Sequence, residues 1–219
     1  MNEHDQRETG IFISAIRRQK GSLYGVYSGG ERIAEIDAET LAAEDALAAG
    51  SCIGEDELER IVYESQCRRA RVKALGIVAR KEISSAALRS KLEDSGFGSE
   101  AAQYAAESLI EAGLVNDERC ARMMAEDIYH LRHFARRRCA YELTAKGIER
   151  GLAESVAKEL EPDPQEAVYD LLTGKLARDM DSEAGIRRSM NTLMRYGFEP
   201  SDIRAVLSRL REELDEDQP

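Results

Sequence analysis

Leu92-Glu93-Asp94-Ser95-Gly96-Phe97, Leu143-Thr144-Ala145-Lys146-Gly147-Ile148 and Leu193-Met194-Arg195-Tyr196-Gly197-Phe198 are three copies of one pattern: leucine, three residues, glycine, apolar residue. The glycines stand 51 and then 50 residues apart. Counting six, nine, ten and thirteen on from each glycine gives Ala102, Ala105, Ala106 and Leu109. The same count gives Ala153, Val156, Ala157 and Leu160, then Ile203, Val206, Leu207 and Leu210. All twelve are apolar, where a chain that is 42% hydrophobic would supply about five by chance. Offsets of three, four and seven put them on one helix face. A glycine-punctuated helix pair recurring about every fifty residues predicts a tandem helical repeat.

Working outward, residues 66–80, 84–95 and 99–112 read as the three helices of a first repeat. Ser84 and Ser99 are the candidate caps, because a hydroxyl there accepts an orphan N–H of the first turn. Gly96 and Gly113 supply left-handed helix ends. Asn116-Asp117-Glu118 opens the next unit, its carboxylates set against the positive end of a helix, and the middle helix of that unit lies near 134–146. Asp163-Pro164-Gln165-Glu166 is a third start, with Leu171, Leu172, Leu176 and Met180 along the helix it opens and Ile186, Met190 and Leu193 along the following one. Residues 11–36 differ: IFISAI, SLYGVYS and ERIAEI are short β-type runs split by Gly21 and by Gly29-Gly30, a hairpin signature. Tyr24 and Tyr27 sit on opposite faces of one such strand, so one belongs to the core. Residues 38–64 read as helical with interruptions near Gly50-Ser51 and Gly54.

The expected fold is therefore mainly α: an elongated array of three three-helix repeats at 65–115, 116–162 and 163–219. A β-hairpin segment with short helices precedes it at 1–64.

Composition narrows the function. The polar, acidic start MNEHDQRETG is no secretory leader and no run reaches membrane length, which makes the cytoplasm the expected compartment, with no membrane partner. Cys52, Cys67, Cys120 and Cys139 form no CxxC pair and read as small buried thiols. A net charge of −11 argues against general DNA coating. The charge is segregated, however. Residues 37–59 hold eight acids and no base, and residues 66–91 hold eight bases against Glu82 alone. The end, Glu212 to Asp217, is acidic again. Such asymmetry suits docking on a charged partner.

These features resemble the RecX family, bacterial regulators of the RecA recombinase. The family's first repeat reads Arg-x-x-Ser-x-x-Glu-Leu-x-x-Lys-Leu, matched here by Arg80-Lys81-Glu82-Ile83-Ser84-Ser85-Ala86-Ala87-Leu88-Arg89-Ser90-Lys91-Leu92. The segment Gly113-Leu114-Val115-Asn116-Asp117 stands where the family has Leu/Ile-Asp-Asp, and Glu142-Leu143-Thr144-Ala145-Lys146-Gly147-Ile148 is close to its Glu-Leu-x-x-Lys-Gly-Ile. Ala87, Asn116 and Cys120 depart from the pattern at cap and packing positions. The resemblance covers residues 65–160 well and the rest more loosely. It implies a cytoplasmic monomer that binds the RecA–single-stranded-DNA filament and modulates it, most often by inhibition. A curved row of weak contacts would lie along the filament groove and act together. The DNA strand within that filament is a second implied partner. No enzyme, cofactor or metal is implied.

The candidate contact residues are cationic. Arg136-Arg137-Arg138, with Arg132 one turn earlier and Lys146 further on, could reach phosphates or filament acids, or could be a solvated face balanced by Glu142. Arg68, Arg69, Arg71 and Lys73 form a second cluster, whose alternative is neutralisation by residues 37–59. Arg187-Arg188 is a third and weaker one. His130 and His133 have metal-ligand spacing but lack a third ligand and a supporting shell, which favours surface histidines. Asp117-Glu118 reads as capping rather than acid–base chemistry. No Gly-rich phosphate loop or nucleophile elbow occurs. Two other classes remain at this stage: a helix-turn-helix-like module acting on DNA directly, and a scaffold with an unrelated partner.

Overall fold

The computed structural model of the chain describes residues 10–216. The opening residues 1–9, read above as no leader, and Asp217 of the acidic end lie outside them. The described residues form five strands and ten α-helices, with one π turn and one short 3-10 turn. The fold is mainly α with a small N-terminal strand segment. The described residues divide into two compact units, one of residues up to 81 with 88–115 and one of residues 82–87 with those from 116 on.

In the first unit, β2 (Ala15–Arg18), β3 (Leu23–Ser28) and β4 (Glu31–Asp37) form an antiparallel meander, while β1 (Ile11–Phe12) pairs with β5 (Cys52–Ile53). The β3–β4 connection is two glycines, Gly29 and Gly30, at φ 58° and 92°, the mirror-image turn that matches strand twist. Tyr24 packs against the core of this segment, with Ile13, Val26, Ile36, Ile53 and Ile61 fully or almost fully buried. Tyr27 instead lies under the Arg17 guanidinium, 5.0 Å away.

After α1 (Ala38–Ala43) comes α2, Glu55–Val78, a single 24-residue helix. The helix read as starting near residue 66 therefore starts eleven residues earlier, and position 64/65 falls inside it. Gly54 takes the N-cap and Glu55, Asp56 and Glu57 fill the first turn, where carboxylates complement the helix dipole. Helix α2 packs on α4 (Ser99–Glu111), which buries Ala101, Ala102, Ala105, Ala106 and Leu109. Ser99 is not the cap of α4: Gly98 occupies that position and makes no side-chain bond.

The leucine–glycine pattern has one physical cause. The pairs α3 (Ser85–Glu93) with α4, α6 (Arg136–Ala145) with α7 (Arg150–Glu159), and α9 (Glu183–Tyr196) with α10 (Pro200–Glu216) are each joined by a glycine in the left-handed region. Their φ values are 91°, 86° and 96°. In each, the residue after the glycine donates its N–H to the leucine carbonyl: Phe97 to Leu92 at 3.3 Å, Ile148 to Leu143 at 3.1 Å, Phe198 to Leu193 at 3.2 Å. This is the Schellman helix end, in which the two apolar residues also meet. Ten of the twelve counted positions are buried, and Leu160 and Leu210 are half-buried.

In the second unit, α5 (Asp117–Asp127) is capped by Asn116, whose side chain accepts the Arg119 N–H at 2.8 Å. Asp117 has a task the sequence did not suggest: it accepts the N–H and hydroxyl of Ser85, both at 2.7 Å, and so caps α3. Ser84 behaves as expected, accepting the Ala87 N–H at 3.3 Å. Helix α8 (Pro164–Thr173) starts on Asp163, which accepts from Gln165 and Glu166 with Pro164 in the first turn. It ends at Thr173, so Leu176 and Met180 lie beyond it in and around a 3-10 turn. The cores are Cys139, Leu143, Ile148, Ala153 and Val156 around α5–α7, and Val168, Leu172, Leu193, Phe198 and Ile203 around α8–α10.

Candidate protein and nucleic-acid interface

Helix α6 breaks a local rule. Its first turn carries Arg136, Arg137 and Arg138, no acid, and no side-chain cap, although cations are disfavoured at the positive end of a helix. Natural sequences accept such conflicts where function requires them. Arg132 does not extend the ridge, contrary to its expected place one turn earlier on the same helix. Residues Ile128–Arg132 form the π turn, and His133 at φ 57° breaks the chain direction before α6 begins.

The three arginines have different roles. Arg138 is structural: it pairs with Glu142 at 2.6 Å, lies over the rings of Phe134 at 5.5 Å and Tyr141 at 5.1 Å, and has its backbone against Gly197. Arg136 reaches Glu161 at 3.5 Å, and Arg132 reaches Glu142 at 3.5 Å. Arg137 is exposed and pairs with no carboxylate among the described residues.

Arg137 and Tyr141 form the wall shared by two clefts. One, of about 720 Å³, is lined by Phe134, Arg138, Met194, Arg195 and Tyr196 besides that wall. The other, of about 700 Å³, adds Arg136, Thr144, Arg150 and Lys158, with Glu154 and Glu199 as its acids. Tyr141 is 63% exposed, unusual for a large aromatic ring. Arginines interleaved with aromatic rings suit planar and anionic groups together, by stacking and by charge. The sequence reading missed Tyr141, Tyr196, Arg150, Lys158 and Arg195. The spacing Phe134, Arg138, Tyr141 was the available signal, since offsets of four and seven share a helix face.

The remaining candidates are not brought to these clefts. Lys146 is exposed and separate; its carbonyl, not its ammonium, is used, accepting the Ser84 hydroxyl at 2.7 Å. Arg187 makes a weak contact with Glu183 at 3.5 Å, and Arg188 is tied to Asp179 at 2.8 Å. In the first unit, Arg68 is held by Glu39 at 2.7 Å and Arg69 by Glu35 at 3.2 Å with the Phe97 ring nearby, so neutralisation by acids of the 35–39 stretch describes these two. Arg71 and Lys73 are exposed and line separate clefts.

His130 and His133 are exposed, and among the described residues no three His, Cys, Asp or Glu side chains gather as metal ligands would. Burial pushes the Cys120 thiol up to about 11 and raises those of Cys67 and Cys139, which keeps all three neutral and unreactive at physiological pH. Cys52, expected to be buried, is exposed because it lies on the two-residue strand β5, where side chains alternate and Ile53 takes the buried face. No helix among the described residues is long and apolar enough to cross a membrane.

No family model matches the chain. Over 198 residues it is 28% identical to the regulatory protein RecX of Caldanaerobacter subterraneus subsp. tengcongensis, covering 90% of this chain and 98% of that protein. It is 35% identical over 118 residues to the regulatory protein RecX of Streptomyces coelicolor, covering 52% of this chain and 63% of that protein. Among solved structures, the fold matches a crystal structure of a regulatory protein RecX with a TM-score of 0.63 at 17% identity, over 90% of this chain and 99% of the other. It matches RecX from Lactobacillus salivarius with a TM-score of 0.60 at 18% identity, over 68% and 98%. The relatives are named as regulatory proteins.

Proposed function

We propose that the chain is a member of the RecX family and that it regulates the RecA recombinase. It binds in the groove of the RecA–single-stranded-DNA filament and restrains filament growth and strand exchange. It acts in the cytoplasm as a monomer without enzymatic activity of its own. We take the three leucine–glycine helix pairs as parts of successive three-helix repeats, 65–115, 116–162 and 163–219. Each repeat meets its own stretch of filament, and contacts that are weak singly act at high effective concentration once linked.

The observation that supports this reading is the Arg137–Tyr141 wall. A chain of net charge −11 keeps an arginine free of carboxylates beside an exposed ring, between two basic clefts. Acids on the filament surface, or phosphates of its DNA, are the groups such a wall recognises.

The test is ATP hydrolysis by the cognate recombinase on single-stranded DNA, with and without this protein. The wild-type chain is expected to lower the rate. Arg137→Glu combined with Lys158→Glu should raise the concentration needed by about tenfold, since reversing interface charges acts on encounter and orientation. Both side chains are exposed, and unchanged circular dichroism would show the fold intact. No effect of the wild-type chain on the recombinase, or full inhibition by the double variant, refutes the assignment.

A second contact, with the single strand itself, is favoured by Tyr141 and Tyr196 standing beside Arg137 and Arg195. Base stacking on an exposed ring is worth about 1–3 kcal/mol and is indifferent to sequence. Tyr141→Ala should then weaken binding to a thymidine oligonucleotide in the absence of recombinase by roughly fivefold or more, without changing the salt slope, because no charge is removed. An unchanged affinity leaves the filament protein as the partner of this wall.

A further inference from the structure

Two of the three leucine–glycine turns are filled by another part of the chain. At the second, the Lys146 carbonyl accepts the Ser84 hydroxyl at 2.7 Å, and a Cβ placed on Gly147 would stand 3.0 Å from the Ala86 Cβ and 3.1 Å from the Ser84 Oγ. The occupant is the start of α3. At the third, the Tyr196 carbonyl accepts the Ala135 N–H at 2.8 Å, and a Cβ on Gly197 would stand 3.0 Å from both the N and the Cβ of Arg138. The occupant is the start of α6. In both, the residue before the glycine offers its carbonyl to the beginning of a helix, and the missing Cβ lets that helix approach.

The first turn has the same backbone and no occupant. Gly96 sits at φ 91° with nothing within 4 Å of its Cβ position, and among the described residues no donor reaches the Ser95 carbonyl. Ser95 instead borders a cleft of about 540 Å³ whose wall carries Lys73, Arg80, Lys81 and Lys91 against Asp94 alone. None of these four cations is ion-paired among the described residues, unlike Arg68 and Arg69 nearby on α2.

We propose that the Gly96 turn is a third socket of the same kind, and that it receives the carboxylate-bearing first turn of a helix from a partner protein. The occupant is a helix start because both filled sockets hold one, and because such a start brings orphan N–H groups to an unused carbonyl. It is acidic because four unpaired cations line the approach and carboxylates are at home in a helix's first turn. By position, the matching piece in a second copy would be the start of α9. The residue twelve before each glycine is Ser84, Ala135 and then Gly185. A Cβ position on Gly185 is overlapped by the Asp179 carbonyl oxygen, so the start of α9 is closed by its own chain. This inference stands apart from the recombinase reading, since it asks only for a protein partner with that chemistry.

The test uses the full-length chain labelled with nitrogen-15 and two synthetic helical peptides of about 16 residues, long enough to hold helix. One begins Ser-Asp-Glu-Glu; the control begins Ala-Lys-Lys-Gln and is otherwise the same. The acidic peptide should move the amide signals of Ser95, Gly96 and Lys81 in a saturable way at roughly 0.1–1 mM, leaving Gly147 and Gly197 in place. Arg80→Glu with Lys91→Glu should weaken this at least tenfold, and undisturbed Gly29, Gly30 and Ala105 signals would report that the first unit is intact. Equal responses to the two peptides, no saturable shift at Gly96, or an unaffected double variant would each overturn the proposal. So would self-association that Lys91→Glu abolishes. None of these outcomes involves recombinase, so they are separate from a failure of the filament reading.

Discussion

Replacing Asp37 by alanine is expected to cost the first unit about 2–4 kcal/mol, read as a lower urea midpoint by circular dichroism. Asp37 ends β4, caps α1 and meets Ser65 on α2, so it ties three elements together. Its carboxylate accepts the N–H of Glu39 at 2.9 Å, the N–H and hydroxyl of Thr40 at 3.0 and 2.7 Å, and the Ser65 hydroxyl at 2.8 Å. Its own N–H goes to the Ser65 oxygen at 2.9 Å. Asp37, Thr40 and Ser65 are all buried, so truncation leaves several donors without acceptors and without water.

The same site gives a pH dependence with a definite sign. Burial alone would raise the Asp37 carboxyl, but hydrogen bonds from Thr40, Ser65 and Glu39 stabilise the anion and hold it below the ordinary aspartate value. A group depressed on folding adds stability that is present above its unfolded value, about 3.9, and lost as pH falls through the folded value. The gap in urea midpoint between wild type and Asp37→Asn should therefore be full at pH 6 and close below about pH 4. A gap that stays constant to pH 2.5 would mean the charge contributes nothing.

What the sequence revealed was local. The leucine–glycine turns were legible because a Schellman end needs a left-handed residue and two apolar partners within six positions. The Asp163 and Asn116 caps were legible for the same reason of short range. Ser99 misled because Gly98, which leaves no side-chain signal, already supplies the extended N-cap. The start of α2 was misplaced because Gly54 reads as a break while Glu55-Asp56-Glu57 after it reads as a helix opening, and the two signals meet at one boundary. Pairings were legible only as alternatives or not at all. The Arg138–Glu142 pair lies at i,i+4, and the acid that holds Arg68 falls in the stretch read as its alternative partner. Nothing in the spacing chooses Arg138 over Arg137 for Glu142, or says that Asp117 caps a helix more than thirty residues away. The candidate site was thus legible as a charge cluster and illegible as a set of roles.

The glycines offer the sharpest separation of backbone cost from packing cost. Alanine at Gly96, Gly147 or Gly197 pays for a positive φ, roughly 1–2 kcal/mol each. Gly96→Ala pays only that, because its Cβ meets open space. Gly147→Ala adds an overlap with the Ala86 methyl and the Ser84 hydroxyl, and Gly197→Ala one with the Arg138 backbone, for about 1–3 kcal/mol more. Gly185 lies in a helix at ordinary φ, so strain there is purely steric, yet its Cβ would collide with the Asp179 carbonyl, which a side-chain shift cannot relieve. Urea titration should rank the losses Gly185→Ala above Gly197→Ala, then Gly147→Ala, then Gly96→Ala. If Gly96→Ala were as damaging as Gly147→Ala, the first turn would be filled like the second, and its socket would already be taken by this chain. If instead it loses only the roughly 1–2 kcal/mol of backbone strain while blunting the response of Ser95 to the acidic peptide, one substitution supports both the vacancy and its use.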